Sequence, residues 1–292
     1  MPDTRWAVAV HGGAKTIEPE ERAAHRDGCG RAAQAATTVL RFGGSALQAV
    51  QAAVRVLEDD LTFNAGHGAV QNADGGVEMD AAIMEGTTLQ CGAVAAVRRV
   101  PNPIDVARLV LPADPVLLVS DGAERFAAEH GVVLLPTAEF EEVSQEAMRD
   151  TVGAVALDQH GHFAAAASTG GLSGKLPGRV GDSVMPGCGF YADDKLGAAA
   201  LSGDGEQILR TTLAARIMQE LEFWSAGPAA QQAIGRLARV GGQAGAIVVD
   251  RLGRIGVAHN SDHFAVAMAS SQLDGVQVGI DRHEVEKWVD HG

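Results

Sequence analysis

The first half of the chain alternates a short apolar run with long stretches of helical periodicity. Arg5–Val10 has the pattern of a buried strand, and an Ala-rich helical pattern follows from about Glu21 to Leu40. Ser45 starts a second helix and is followed three residues later by Gln48, which is the spacing of a capping box. Two strand patterns then flank a turn, and two helical patterns flank the run "VLLVS". These are the strands 77–84 and 91–97 and the helices "NPIDVARLVL" and "SDGAERFAAEHG".

The second half has more strand patterns than the first. Its first feature is the hairpin "TVGAVALDQHGHFAAAASTGG", which begins at Thr151 and ends at Ser168-Thr169. The hairpin is followed by a Gly-rich loop, the strand "LGAAALS" and one long helix in "GDGEQILRTTLAARIMQELEFW". After them come a helix around Ala229–Arg239, a hairpin in "GAIVVDRLGRIGVAHN" and two last strands. The polar stretch "PTAEFEEVSQEAMRD" joins the halves as a helix or mobile connector. No repeat or linker divides residues 1–292, so we predict one α/β domain with two sheets covered by helices.

Composition excludes several classes of function. The net charge of −14 leaves no basic excess for a phosphate backbone, so no nucleic-acid partner is expected. No apolar run approaches 18 residues, so no membrane span is expected. Cys29, Cys91 and Cys188 are far apart and form no disulfide framework, and the first residues lack a signal-peptide pattern. These features predict a reducing, cytoplasmic location.

Hydroxyl groups stand at the open end of the predicted hairpin, where Thr151 follows Asp150 and the second strand ends at Thr169. A threonine hydroxyl is a poor nucleophile unless a base removes its proton. Cleavage of the Asp150–Thr151 bond would give Thr151 a free α-amine that titrates near ~7.7–8.0 and serves as that base. The alternative is that Thr151 simply opens a strand, which is the usual role of an isolated Asp-Thr pair.

The companion motifs favour the nucleophile. In order they are "VAVHGGA", "FNAGHGAV", "EMDAAIMEG", "CGAVAAV", "DTVGAVALD", "STGG", "KLPGRVGDS", "YADD" and "SGDGE". With them the chain resembles, over nearly its whole length, the plant-type (isoaspartyl peptidase type) L-asparaginases among the N-terminal nucleophile hydrolases. The resemblance implies a four-layer αββα sandwich that cleaves itself into an α chain, 1–150, and a β chain, 151–292. It also implies a homodimer of αβ units.

The resemblance assigns roles to single residues. Thr169 would lie beside the nucleophile Thr151, and Ser202 with Gly203 would form an oxyanion hole. Arg179 would bind a substrate α-carboxylate and Asp182 its α-ammonium, although this spacing also suits a surface ion pair. The remaining substrate-binding residues would be Gly203, Gly205 and Asn64. No cofactor is expected for the chemistry, but backbone carbonyls would bind a structural sodium ion. These carbonyls are those of Leu57, Glu58, Asp60, Phe63, Ala65 and His67.

The expected activity is amidohydrolysis of L-asparagine, of β-aspartyl dipeptides, or of both, with release of L-aspartate. Two positions depart from the plant type: Asp150 replaces the usual Gly, as in glycosylasparaginases and taspase, and Ser202 replaces Thr. Four alternatives stay open. They are a glycosylasparaginase-like activity, an uncleaved binding protein, a nucleotide-binding loop at "STGGLSGKL" (which lacks the first Gly and the final Ser/Thr of that motif), and a thiol enzyme using Cys188.

Overall fold

Two β-sheets form the centre of the protein. The computed structural model describes residues 5–141 and 151–288. Within them, one sheet has eight strands in the order β12-β11-β1-β5-β6-β2-β3-β4, and the other has four in the order β10-β9-β8-β7. The strands are β1 Ala7–Lys15, β2 Met79–Glu85, β3 Cys91–Val97, β4 Leu117–Val119, β5 Val152–Leu157, β6 Phe163–Thr169, β7 Phe190–Asp193, β8 Gly197–Gly203, β9 Ala244–Asp250, β10 Ile255–His259, β11 His263–Ser270 and β12 Gln277–Gly279.

Helices cover the outer face of each sheet. They are α1 Arg22–Arg41, α2 Ala46–Glu58, α3 Pro103–Val110, α4 Ser120–Glu129, α5 Ala138–Glu141, α6 Gly205–Thr211, α7 Leu213–Glu220, α8 Ala226–Gly235 and α9 Arg282–Val285. Helices α1 to α4 pack on the large sheet, and α7 and α8 pack on the small one. Short 3₁₀ turns at Gly66–Gly68, Asp182–Val184 and Arg236–Arg239 complete the regular structure.

Three buried apolar clusters separate four layers. The first lies between α1–α4 and the large sheet, the second between the two sheets, and the third between the small sheet and α6–α8. Along β5, Val155 and Leu157 belong to the middle cluster, whereas Val152 and Ala154 belong to the first. This alternation is what a strand with both faces buried requires. The predicted α/β sandwich with αββα layers is confirmed.

Local signals at the start of α2 act as the sequence predicts. The Ser45 side chain accepts a hydrogen bond from the Gln48 N–H at 3.2 Å, and the Gln48 side chain accepts one from the Ser45 N–H at 3.0 Å. The capping box is therefore confirmed, and it fixes the direction in which α2 leaves its preceding turn.

The long helix predicted after "GDGE" is wrong, because two helices meet at Thr212. Thr212 has φ +48°, in the left-handed region that β-branched residues seldom adopt, and it separates α6 from α7. The first N–H groups of α7 bind the preceding loop: Ala214 donates to the Cys188 carbonyl at 3.0 Å and Ala215 to the Gly187 carbonyl at 2.8 Å. The loop carbonyls therefore replace the bonds that a continuous helix would have made.

Other differences concern shorter elements. The first strand extends to Lys15, so "HGGA" belongs to its last part, which contains no turn. Strand β7 and helix α9 were not predicted from the sequence. Of the polar stretch 136–150, α5 is described, and residues 142–150 lie outside the described part of the chain. Among the described helices, none combines the length and apolarity that crossing a membrane would need.

Candidate active site

Three neighbouring strands of the large sheet place Thr151 and its partners at one level. In the ladder between β5 and β6, Val152 pairs with Ser168, which brings the preceding Thr151 to the level of Thr169. On the other side of β6, Asp80 of β2 pairs with Thr169. Side chains alternate between the two faces of a strand. All three side chains therefore point toward the small sheet, on the same face as the residues of these strands that belong to the middle apolar cluster. Asp150 lies outside the described residues, so Thr151 is the first one after the gap.

The Thr151 hydroxyl lies between two other hydroxyls. Its Oγ1 donates to Thr169 Oγ1 at 3.2 Å and lies 3.2 Å from Ser183 Oγ. Thr169 Oγ1 also accepts the Gly171 N–H at 2.9 Å, which fixes its orientation. The structure therefore brings the two predicted hydroxyls together and adds a third, Ser183, that sequence reasoning missed. Ser183 ends the motif "KLPGRVGDS", but no local spacing links it to Thr151, and only the folded chain reveals their contact.

A small polar cavity opens on this hydroxyl cluster. Its walls include Thr151, Thr169, Gly171, Leu172, Arg179, Asp182, Ser183 and Gly203. Arg179 and Asp182, which we call the zwitterion site, therefore stand in the same cavity as the candidate nucleophile. Polar groups make up most of the cavity wall.

The Arg179 guanidinium forms a two-point ion pair with Glu206 in this structure. Its Nε and Nη2 groups each donate to a Glu206 oxygen at 2.9 Å. The Arg179 side chain is 17% exposed, and that of Glu206 is 52% exposed. A substrate carboxylate would compete with Glu206, because both present the same planar oxygen pair to the guanidinium fork. Displacing Glu206 from Arg179 should cost little free energy, because the Glu206 carboxylate is already exposed to solvent.

Asp182 is a buried carboxyl with one unsatisfied oxygen. It is 4% exposed, and its Oδ2 has no hydrogen-bond partner among the described residues. Burial raises the pKa of this carboxyl to about 7, although Arg179 opposes the shift. An α-ammonium group would supply the missing donors and the missing positive charge. The site thus has one cationic and one acidic group, the complement of a free amino acid.

Glycine at position 205 allows these two charged groups to approach α6. A Cβ atom there would lie 2.7 Å from Asp182 Oδ1 and 2.9 Å from Arg179 Nη2. The structure thus places Gly205 directly against the zwitterion site, where any larger residue would push the charged groups apart.

Ser202 and Gly203 end strand β8 opposite β1. The Ser202 hydroxyl accepts the Ala14 N–H at 3.2 Å and is 1% exposed, so its own proton stays free to be donated. Gly203 lines the cavity at φ +147°, and a Cβ there would lie 2.2 Å from the Gln243 carbonyl oxygen. Only glycine fits this position, whose backbone borders the cavity. Ser202 itself is not among the residues that line the cavity.

Asn64 lies behind the cavity wall. Its Nδ2 donates to the Gly171 carbonyl at 2.6 Å, and its Oδ1 accepts the Val70 N–H at 3.0 Å. Its backbone carbonyl accepts the Gly170 N–H at 2.8 Å. The structure places this fully buried side chain against the turn after Thr169, and the cavity walls do not include it. Its contacts order that turn.

The loop after α2 has the donor chemistry of a hard cation site. A Cβ at Gly66 would lie 2.4 Å from the Glu58 carbonyl oxygen, and one at Gly68 would lie 2.2 Å from the Phe63 carbonyl oxygen. Carbonyl oxygens thus crowd two positions that only glycine can occupy, which fits the oxygen ligands that such ions require. Four of the six carbonyls expected to bind sodium already accept backbone N–H groups, namely those of Leu57, Asp60, Phe63 and Ala65.

His11 is a second residue that the sequence analysis did not single out. It is fully buried opposite Gly153, and neither ring nitrogen has a partner with hydrogen-bond geometry among the described residues. Burial lowers the pKa of the imidazole to about 3, and the nearby Thr151 backbone opposes that shift. A Cβ at Gly153 would lie 2.4 Å from His11 Nε2. A neutral imidazole therefore lies against the strand that carries Thr151.

Two competing interpretations fit the structure poorly. Lys175 is the lysine of "STGGLSGKL", the segment considered as a nucleotide loop. It is 5% exposed and donates to the Glu78 carbonyl at 2.8 Å instead of facing solvent. Burial raises the pKa of the Cys188 thiol, whereas a nucleophilic thiol needs a lowered one. All three cysteines are buried, and none of them forms a disulfide.

Comparison with known proteins agrees with this geometry. A family model described as asparaginase matches residues 4–145 and 133–278. A Bos taurus protein named isoaspartyl peptidase/L-asparaginase is 42% identical over 94% of this chain and 96% of its own length. A Xenopus laevis protein of the same name is 42% identical over 84% and 86%. A Salmonella typhimurium protein named isoaspartyl peptidase is 37% identical over 87% and 92%. This chain belongs to the asparaginase family that the model describes.

Proposed function

We propose that this protein is an amidohydrolase that cleaves the side-chain amide of L-asparagine and of β-aspartyl dipeptides and releases L-aspartate. The observation that carries the proposal is the placement of the Thr151 hydroxyl, within 3.2 Å of two hydroxyls, in a cavity whose wall carries Arg179 and Asp182. Both substrate types keep a free α-carboxylate and α-ammonium for the zwitterion site. Both also present a side-chain carbonyl to the nucleophile.

Cleavage of the Asp150–Thr151 bond would activate Thr151. The new α-amine accepts the Oγ1 proton, and the oxygen attacks the substrate carbonyl. The Ser202 hydroxyl and the Gly203 N–H are proposed to stabilise the oxyanion, since the Ser202 proton is left free by its bond to Ala14. Ammonia or an amino acid leaves, and water then hydrolyses the Thr151 ester to give aspartate.

Intact-mass spectrometry and steady-state kinetics test the proposal together. The purified protein should show two polypeptides, 1–150 and 151–292, under denaturing conditions. It should hydrolyse L-asparagine, β-aspartyl-leucine or β-aspartyl-arginine, and the ratios of kcat/KM among them would define its preference. A single intact polypeptide that still turns over substrate would contradict the proposed chemistry, and a single inactive one would favour a binding protein.

A threonine substitution separates the nucleophile from a general effect on folding. Thr151→Ala should leave the chain uncleaved and inactive, because both reactions need its hydroxyl. The matched control is Thr37→Ala, since Thr37 is a buried threonine of α1 whose Oγ1 has no partner among the described residues. This control should be cleaved and active like the parent.

Three further proposals accompany the activity. The Gly66–Gly68 loop is proposed to bind a structural sodium ion through carbonyls such as those of Glu58 and Phe63, which would order the segment before Asn64 without entering the chemistry. Loss of thermal stability on replacing sodium with a large organic cation would support it. The αβ units are proposed to form a homodimer, which light scattering would test. A cytoplasmic location is proposed because none of the three cysteines forms a disulfide.

A further inference from the structure

Ser183 contacts the reacting oxygen but has no role in the proposed mechanism so far. It belongs to the 3₁₀ turn Asp182–Val184 and is 2% exposed. Its Oγ lies 3.2 Å from Thr151 Oγ1, the same distance that separates Thr151 from Thr169. Among the described residues, Thr151 is the partner of the Ser183 hydroxyl. The contact therefore joins an otherwise unused hydroxyl to the nucleophile.

Either hydroxyl can donate in the contact between Ser183 and Thr151, and counting protons favours Ser183 as the donor. A threonine hydroxyl has one proton and can accept at two lone pairs. Thr151 Oγ1 donates its proton to Thr169 Oγ1, which also accepts the Gly171 N–H. With that proton committed, Thr151 Oγ1 can only accept from Ser183. Ser183 is thus a hydrogen-bond donor to the nucleophilic oxygen.

The turn that carries Ser183 is held firmly. The Asp182 carbonyl accepts the N–H groups of Met185 at 2.9 Å and of Gly189 at 3.1 Å. A Cβ at Gly189 would lie 2.6 Å from that same carbonyl oxygen, so the turn packs directly on a bare backbone. The donor is therefore held in place by its own turn, and it need not be ordered when charge develops.

We propose that Ser183 is a catalytic residue that stabilises Thr151 Oγ1 as a leaving group. This inference rests on the proposed function. In deacylation, water adds to the ester carbonyl, the C–Oγ1 bond breaks, and its electron pair goes to Oγ1. The Thr151 α-amine takes a proton from the attacking water, and the α-ammonium so formed gives a proton to Oγ1 as this oxygen leaves. Ser183 keeps its own proton and donates a hydrogen bond throughout, as it would when the ester formed during self-cleavage is hydrolysed.

Ser183→Ala tests the role, because it removes the donor and little volume. We expect kcat for L-asparagine to fall about 100-fold, the lower end of the range for loss of one donor to developing charge. KM should not rise, because Arg179 and Asp182 remain in place. Acid-quenched samples should contain more aspartyl ester on the β chain than the parent does. Rates are normalised to the amount of free N-terminal Thr151, so that slower self-cleavage does not hide the effect.

Two variants serve as controls. Ser183→Thr keeps a hydroxyl and should retain most of the parent kcat. Ser270→Ala removes another nearly buried serine hydroxyl, which accepts only the Gln272 N–H at 3.1 Å in a distant turn, and should behave as the parent. An unchanged kcat in Ser183→Ala, a raised KM, or a fall in kcat without ester accumulation would each overturn the inference. If the parent itself is uncleaved or inactive, the proposed function fails first and independently.

Discussion

At the scale of single residues, the candidate site combines groups that are held in unusual protonation states by burial. The raised pKa of Asp182 and the lowered pKa of His11 both result mainly from desolvation. Neither group is satisfied by its protein neighbours, since Asp182 Oδ2 and both His11 nitrogens lack partners among the described residues. Such incomplete satisfaction is common where a ligand or a reacting group supplies the missing contacts.

Ligand affinity should depend on pH through Asp182. Below its pKa of about 7 the carboxyl is neutral and attracts an ammonium group weakly, whereas above that pH it is charged. The inhibition constant of L-aspartate should therefore fall as pH rises from about 5.5 to 8.5. The charged groups that act on Asp182 are Arg179, Glu206 and Asp80, of which only Arg179 favours ionisation.

Asp182→Asn is the control for this pH dependence. It should bind L-aspartate on the order of 100-fold more weakly and should lose the part of the pH profile that centres near 7. A wild-type inhibition constant that is independent of pH would contradict the assignment of Asp182 to the α-ammonium.

Gly153→Ala should disturb the packing of β5 against His11, two residues after Thr151. The new methyl group would lie 2.4 Å from His11 Nε2, so the ring or the strand must move. We expect a loss of about 1–3 kcal/mol in the free energy of unfolding, the usual cost of overpacking, together with slower self-cleavage. Urea unfolding of a Thr151→Ala background would measure the first effect, because cleavage does not complicate it there.

A second substitution identifies the cause of that loss. His11→Ala combined with Gly153→Ala should be less destabilised than the sum of the two single variants, because removing the ring relieves the clash. Gly235→Ala is the matched glycine control, since a Cβ there meets nothing within 4 Å, and it should be neutral or slightly stabilising. Strict additivity of the first pair would exclude His11 as the clashing group.

At the scale of secondary-structure elements, boundaries are set by contacts that lie far away in sequence. Helix α6 ends and α7 begins at Thr212, where carbonyls of the loop 187–188 accept the first N–H groups of α7. The apolar periodicity continues across this break, which is why one long helix was predicted. The capping box at Ser45 was predictable because all of its atoms lie within four residues.

Thr212→Gly should stabilise the junction between α6 and α7. A β-branched residue at φ +48° is strained, and glycine adopts this conformation freely, although it gains entropy in the unfolded chain. We expect a net gain of up to about 1 kcal/mol, measured as a higher midpoint of thermal unfolding. Thr88→Gly, at an exposed position without positive φ, should instead be destabilised. Equal losses in both variants would show that the junction is unstrained.

The sequence predicted the residues of the site better than it predicted their geometry. Arg179 and Asp182 are three residues apart in one Gly-rich segment, so their common place in one cavity wall was accessible from the motif "GRVGDS". The contact of Ser183 with Thr151 was not, because 32 positions separate them and no periodicity encodes the turn that joins them. Asn64 was expected among the substrate-binding residues, but its hydrogen bonds with the loop after Thr169 formed only in the tertiary structure.

At the scale of the whole molecule, strands from the two predicted polypeptides alternate within one sheet. Strand β1 lies between β11 and β5, and β6 pairs with β2. Cleavage after Asp150 would therefore place β1–β4 in one chain and β5, β6, β11 and β12 in the other. Their shared hydrogen bonds and the common apolar layers would hold the two chains together without a covalent link.

The cleaved protein should consequently elute as one particle in native buffer and separate only in denaturant. Size-exclusion chromatography with light scattering would detect both chains in one peak, and strong urea should split them. Dilution of the denatured, cleaved protein should give poor recovery of activity, whereas the uncleaved Thr151→Ala chain should regain its native circular dichroism spectrum. Separation of the two chains in native buffer would contradict the strand order.

Because β1 lies between β5 and β11, a protein cleaved after Asp150 would not readily refold once it had unfolded. A continuous polypeptide searches for its partners within one chain, but two fragments must meet by diffusion and then thread a central strand between two others. Cleavage after Asp150, if it occurs as proposed, would therefore be an irreversible step for each molecule. The lifetime of the cleaved, folded protein would then depend on the height of the barrier to unfolding rather than on an equilibrium with the unfolded state.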